Sequence, residues 1–284
     1  MAQSPSQAFQ IEEASDILVR GLASGHERGG AMALALSIGK CTLLGNYREN
    51  NEDAIDVKQF ADMTICIVAD GMGGQQAGEI ASKQAVEILP REIKNNLTGV
   101  TDQEESRQII RRGIVHANAV IMDMASMDRD LNNMGTTVVL ALWPKGSDCL
   151  YVAGIGDSRA YRINKEKIEQ LTVDHSIAQA LVEAKTISAA EARVHKYRNV
   201  LWKYLGSKEV GEGPEVRVLN PEKGDRFLLC TDGLCGVVSD DKLQSFVLEH
   251  SNLQECADGL GQLALDSGSR DNVSCIVMEF TEGR

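Results

Sequence analysis

Positive charge is what this chain of 284 residues is short of: 29 lysines and arginines stand against 41 aspartates and glutamates, a formal net charge of -12. A field of that sign repels nucleic-acid backbones and anionic lipid, which argues against either as a partner. It also repels phosphorylated substrates, so a phosphate site here has to invert the local charge, as metal ions do. Histidine is scarce, with five in the chain and none paired at ligand spacing, which disfavours zinc. The seven cysteines are an odd number and form no CxxC pair. Neither a structural zinc site nor a redox motif follows, and buried, reduced thiols of a cytosolic protein are the expectation. No apolar run is long enough to span a bilayer; the best, residues 31–38, is too short and follows a glycine-rich break. The chain therefore reads as soluble and cytoplasmic. There is no GxxxxGK phosphate loop, and Gln76 stands where a dinucleotide fingerprint would need its third glycine.

What is present is ordinary globular composition, 43% hydrophobic and 25% charged, in a chain able to bury a large core. Residues 1–31 read as an N-terminal extension. Ile11, Ala14, Ile17, Leu18 and Leu22 fall at helical spacing, and a glycine-rich linker follows at 24–30. From there to residue 281 the chain reads as one domain. Buried strands are expected at 64–69, 136–142, 149–153, 226–230 and 273–280. Helices are expected at 78–88, 106–124, 177–192, 241–248 and 253–266, with a polar loop containing Pro90 and Gly99 after the first. Two helices come together and several strands follow without a helix between them. That order argues for antiparallel sheets with helices packed outside, an α+β layered domain, rather than a doubly wound parallel fold.

The aspartates carry the chemistry. Asp70 closes the run Ile65-Cys66-Ile67-Val68-Ala69 and precedes Gly71-Met72-Gly73-Gly74. Asp157 follows Val152-Ala153-Gly154-Ile155-Gly156, and Asp232 follows Phe227-Leu228-Leu229-Cys230-Thr231. Asp271 and Asn272 stand immediately before the last strand, and Glu52 and Asp53 lie just after Arg48. A carboxylate at the edge of a buried strand is costly to desolvate, and a single one is usually a turn former or helix cap. Several with the same grammar are harder to dismiss: if adjacent strands bring these ends together, like charges converge, and only cations could hold them there. Oxygen-only donors suit hard ions such as Mg²⁺ or Mn²⁺.

Two routes to phosphoester cleavage lack their residues. No cysteine has an arginine six positions on, so a thiol-phosphate route is missing. Asp128-Arg129-Asp130-Leu131-Asn132 lacks the threonine of an aspartyl-phosphate motif. Metal-activated water is left.

Seven segments in order resemble the metal-dependent type 2C serine/threonine protein phosphatases in their bacterial form. They are Arg48-x-x-x-Glu52-Asp53-Ala54, Asp70-Gly71-Met72-Gly73-Gly74, Gly135-Thr136-Thr137 and Gly156-Asp157-Ser158-Arg159, followed by Leu171-Thr172-x-Asp174-His175-Ser176, Thr231-Asp232-Gly233-Leu234 and Arg270-Asp271-Asn272-Val273. The resemblance covers about residues 32–281. It implies two antiparallel sheets face to face, flanked by helices in an α-β-β-α sandwich, with a metal cleft at one end. Asp70 would bridge two Mn²⁺ or Mg²⁺ ions; Asp232 and Asp271 would complete the first ion's shell, and the Gly71 carbonyl would help hold the second. Glu52 and Asp53 would ligate or hydrogen-bond the metal waters. Asp157 with Asp232 would form a weaker third site, Asn272 would orient ligand-holding groups, and Arg48 would grip the phosphate. The implied substrates are phosphorylated proteins made by eukaryotic-like Ser/Thr kinases, acted on by a monomer.

Two departures stand out. Animal members carry a histidine as proposed general acid where this chain has Met72, so the proton must come from elsewhere; His175 is one candidate, though in this motif it more often caps a loop. In the segment 177–213, which touches substrate in the family, Lys196 replaces a usual proline, and Trp202 and Lys203 also differ. A regulatory pseudophosphatase and a two-metal nuclease are the competing readings; the intact aspartates count against the first and the acidic balance against the second.

Overall fold

Hydrocarbon on both faces explains why the strands read as unbroken apolar runs. The computed structural model describes residues 34–73, 77–97 and 102–283; the expected N-terminal extension lies outside the described residues. In β3 (Met63–Met72) every residue from Met63 to Ala69 is buried. Ile65, Ile67 and Ala69 pack toward helices, while Cys66 and Val68 face a second sheet. A strand covered twice has no polar face to alternate with.

The first sheet contains β2 (Asp53–Gln59), β3, β5 (Val138–Pro144), β6 (Leu150–Ile155) and β9 (Val216–Leu219) in that spatial order, with the two-residue β4 (Gly135–Thr136) also paired to β3. The second is ordered β1 (Leu34–Leu43), β11 (Val273–Glu282), β10 (Arg226–Cys230), β7 (Arg159–Ile163) and β8 (Ile168–Gln170). All the ladders are antiparallel. Between the sheets, Trp143, Phe227 and Phe280 form two edge-to-face pairs at 5.5 and 5.7 Å among Val68, Val139, Leu229 and Ile276. Helices α1 (Ala77–Asn96) and α2 (Gln103–Met127) cover the outer face of the first sheet. Helices α6 (Asp240–Glu249) and α7 (Leu253–Asp266) cover the outer face of the second, against Leu228, Cys230, Cys275 and Val277. The expected α-β-β-α layering is what the chain adopts. No described helix is long and apolar enough to cross a membrane.

Three local expectations are corrected. Pro90 does not end the first helix; α1 runs through it to Asn96. A proline inside a helix costs about 3 kcal/mol, and here Leu89, Ile93 and Leu97, all fully buried in the core beneath, offset that cost. The expected helix 177–192 is two short ones, α3 (Ile177–Glu183) and α4 (Ala189–Arg193), separated by Lys185 at φ 57°. Ser188 and Glu191 form a reciprocal cap that starts the second. The strand expected at 136–142 is divided at Thr137, between β4 and β5. Strands β1, β2, β7, β8 and β9 were not anticipated: each is shorter, more exposed or more polar than the central ones.

Candidate active site

The register of the first sheet places Asp53 directly opposite Asp70, so two carboxylates face each other where β2 begins and the apolar part of β3 ends. Packing the second sheet against the first adds the others. Asp232 opens a short helical turn, α5 (Asp232–Cys235), two residues beyond β10, and Asp271 lies two residues before β11. Asp232 and Asp70 stand close enough for each to shift the other's ionisation.

Polar atoms fix this arrangement from below. Thr231 Oγ1 donates to Asp53 Oδ2 at 3.0 Å and accepts from the Ser274 amide at 3.1 Å. Asn272 Oδ1 accepts from the Glu52 amide at 2.9 Å, and its Nδ2 donates to the carbonyls of Leu44 and Asn50. Asn272 thus staples the Arg48–Glu52 loop onto the start of β11. Gly71 donates to the Glu52 carbonyl at 3.1 Å. A Cβ on Gly71 would stand 2.1 Å from the Gly78 carbonyl oxygen and 2.6 Å from that of Glu52, so only glycine lets the three segments close.

The electrostatics are one-sided. Burial raises the Asp53 carboxyl to about 7, against hydrogen bonds from Ser274 and Thr231 and with help from Asp232 and Asp271. Burial, then Asp53, Asp232, Asp157 and Asp271, lifts Asp70 well above the usual range. Asp232 is raised by burial and by Asp271, Asp157 by burial and by Asp232 and Asp174, and Glu52 by burial. Arg48 is the cation paired with the group: Nη2 is 2.7 Å from Asp271 Oδ2 and Nη1 is 3.3 Å from Glu52 Oε2. The ion pair with a neighbouring glutamate, the ordinary alternative to phosphate binding, is therefore present. Among the described residues no three acidic, histidine or cysteine side chains stand ready-spaced to hold one ion. The donor chemistry nonetheless suits hard divalent cations, being all oxygen and carrying far more negative charge than one arginine balances.

The nine residues named from the sequence occupy one end of the sandwich. Asp157 sits at its margin, 9% exposed, in the turn between β6 and β7. There it lines a cleft of about 370 Å³ with Asp232, Arg159 and, from the 177–213 segment, Arg193, Arg198 and Asn199. Arg159 grips Asp174 through Nε and Nη2, with contacts of 2.6 to 3.1 Å. His175 behaves as the loop cap that its motif suggested. Its Nδ1 accepts from the Gly156 amide at 3.1 Å, its ring packs on Trp202, and burial lowers its pKa. The hydroxyls of Thr136, Thr137, Ser158, Thr231 and Ser274 went unassigned in the sequence. The signal was their adjacency to the aspartate motifs, but which hydroxyl meets which strand depends on the ladder register.

A family model described as Protein phosphatase 2C matches residues 45–273. The serine/threonine phosphatase Stp of Listeria welshimeri is 35% identical over 236 residues, which is 83% of this chain and 92% of that one. The crystal structure of the Mycobacterium tuberculosis serine/threonine phosphatase PstP superposes with a TM-score of 0.75 at 32% identity, covering 87% of this chain and 99% of that chain. A crystal structure of the PstP catalytic domain in complex with two manganese ions gives a TM-score of 0.73 at 32% identity, covering 88% of this chain and all of the other. With a model matching most of its length and a relative this similar, the chain belongs to the protein phosphatase 2C family.

Proposed function

We propose that this protein hydrolyses phosphoserine and phosphothreonine esters of proteins at a centre for two Mn²⁺ or Mg²⁺ ions. The observation that carries the reading is the convergence of Asp53, Asp70, Asp232 and Asp271, from four separate strand ends, where among the described residues only Arg48 is ion-paired to them. Asp70, Asp232, Asp271 and the Gly71 carbonyl would hold the two ions, Glu52 and Asp53 would ligate them or hydrogen-bond their waters, and Asp157 with Asp232 would form a weaker third site. Bound there, divalent cations supply an acidified water and neutralise charge on the phosphoryl oxygens.

The chain's own groups do the rest. Asn272 keeps the Glu52 loop on β11, and Thr231 orients Asp53. Arg48 is 43% exposed at its side chain, so its planar fork can turn from Glu52 and Asp271 to a phosphate. Met72 offers no proton, and the His175 nitrogen facing Gly156 is engaged there, which leaves the other ring nitrogen as the one that can carry a proton. Substrates of eukaryotic-like Ser/Thr kinases are the proposed physiological targets.

The test is turnover of p-nitrophenyl phosphate and of phosphothreonine peptides with Mn²⁺ and with chelator. Turnover in Mn²⁺ that disappears in chelator is expected. Undiminished activity in chelator contradicts the reading, and saturable Mn²⁺ binding without turnover of any phosphoester reduces the protein to a binding module.

A further inference from the structure

The break in the first sheet falls opposite Asp70. The register that pairs Val68 with Val139 and Gly71 with Thr136 sets Thr137 across from Asp70. An antiparallel pair that exchanges hydrogen bonds uses both backbone amides and both carbonyls. Here only half of that exchange is made. The Thr137 amide donates to the Asp70 carbonyl at 2.8 Å. The return bond, from the Asp70 amide, goes to the Thr137 side chain, at 3.0 Å to Oγ1. The Thr137 carbonyl is left to the Thr136 hydroxyl, which lies 2.9 Å from both it and the Asp70 carbonyl. A side-chain hydroxyl has replaced a ladder carbonyl at the residue that ends the apolar run.

The same hydroxyl has a second partner. Thr137 Oγ1 lies 2.6 Å from Ser158 Oγ, and both residues are almost fully buried, 1% and 2% exposed. Ser158 follows Asp157 in the turn after β6. That turn is moulded to Thr137: Gly156 sits at φ 99°, and a Cβ there would stand 2.6 Å from Thr137 Cγ2. Glycine lets the turn press onto the threonine. The threonine, in turn, joins the main chain of Asp70 to the loop that carries Asp157.

We propose that Thr137 is a positioning residue: its hydroxyl sets the main chain of Asp70 and, through Ser158, ties Asp70 to Asp157. The inference rests on the metal-centre reading above. A hydroxyl has one proton and two lone pairs, enough to accept from Asp70 and still bond Ser158. Without it, the buried Asp70 amide and the Ser158 hydroxyl each lose a partner where water has no ready access. Both aspartates are then free to move relative to each other. Groups that hold metal ligands in place typically contribute about 10–100-fold to affinity or rate when removed.

The experiment compares wild type with Thr137→Val, which keeps the shape and removes the hydroxyl, with Thr137→Ser, which keeps the hydroxyl, and with Ser158→Ala. Mn²⁺ affinity is measured by calorimetry on metal-free protein, thermal stability in chelator, and kcat and KM on p-nitrophenyl phosphate. Expected for Thr137→Val is at least about tenfold weaker Mn²⁺ binding and a comparable fall in kcat, with KM for the ester within about twofold. Thr137→Ser should recover most of both, and Ser158→Ala should show the same pattern at a smaller size. A purely structural threonine would lower stability in chelator while leaving Mn²⁺ affinity of the folded protein at the wild-type value; that result overturns the proposal. So does a Thr137→Ser variant as impaired as Thr137→Val. Should Thr137→Val not fold, Ser158→Ala decides: unchanged Mn²⁺ affinity overturns the proposal, weakened affinity at retained stability supports it. Wild type that binds no Mn²⁺ would instead sink the metal-centre reading, a separate failure.

Discussion

Between Arg226 and Cys230, strand β10 is wholly buried, its Phe227 and Leu229 meeting the other sheet and its Leu228 and Cys230 meeting helices. Two residues further on, Asp232 stands among Asp70, Asp157 and Asp271. The same change occurs along β3, from Ile65 through Ala69 to Asp70. One region lowers the free energy of the fold by removing apolar surface from water; the other holds like charges together and raises it. Stability and chemistry thus come from adjacent residues of the same strands, and substitutions at the two ends should have opposite signatures.

The largest effect should come from the apolar end. Phe227→Ala, which empties the edge-to-face contact with Phe280, should lower unfolding free energy by about 3–5 kcal/mol while leaving kcat per folded molecule unchanged. Denaturant unfolding alongside turnover checks this, and a selective loss of kcat would break the comparison. At the acidic end the signs reverse. Asp232→Asn should reduce kcat by more than about 100-fold, beyond what loss of an outer partner costs. In chelator the same variant should melt higher, by roughly 2–4 °C if about 1 kcal/mol of repulsion is relieved. A lower melting point would mean the carboxylates stabilise the metal-free fold after all.

Arg48→Ala sharpens the boundary between binding phosphate and holding metal. KM for p-nitrophenyl phosphate should rise about tenfold, as expected for loss of one charge-assisted contact, with Mn²⁺ affinity kept. Lost Mn²⁺ affinity would assign Arg48 to its carboxylate partners instead. The smallest effect concerns the thiols, which belong to the apolar region. All seven are buried. Burial pushes Cys66 up to about 12 and Cys256 up to about 11. A raised thiol pKa keeps the unreactive protonated form as pH climbs. At about pH 8.5, where an ordinary cysteine is half ionised, the native protein should resist alkylation and the unfolded protein should expose seven thiols. Rapid native labelling of Cys235 would show the cleft opening at α5.

The layering and the aspartate set were legible in the sequence for one reason: central strands buried on both faces announce themselves, and acidic residues at their ends stand out against hydrocarbon. Strand 226–230 was read to the residue. The edge strands β8 and β9 were not, because a half-exposed strand of three or four residues carries no periodic signal. Pro90 misled because local propensity opposed a tertiary burial that only the folded chain reveals. Lys185 split a helix whose polar surface gave no sign of where it would turn. In the site, the carboxylates were found from their positions in the chain. The hydroxyls of Thr137, Ser158 and Thr231 were not, because their partners lie 21 to 178 residues away and the register alone pairs them.

The central claim is that carboxylates from distant strand ends form one seat for hard cations. Calorimetric titration of Mn²⁺ into chelator-stripped protein, wild type and Asp70→Asn side by side, tests it most directly. Two saturable ions per wild-type chain, and loss of that binding in the variant, are the expected result. Wild-type and variant proteins that take up Mn²⁺ identically, or not at all, would contradict the account.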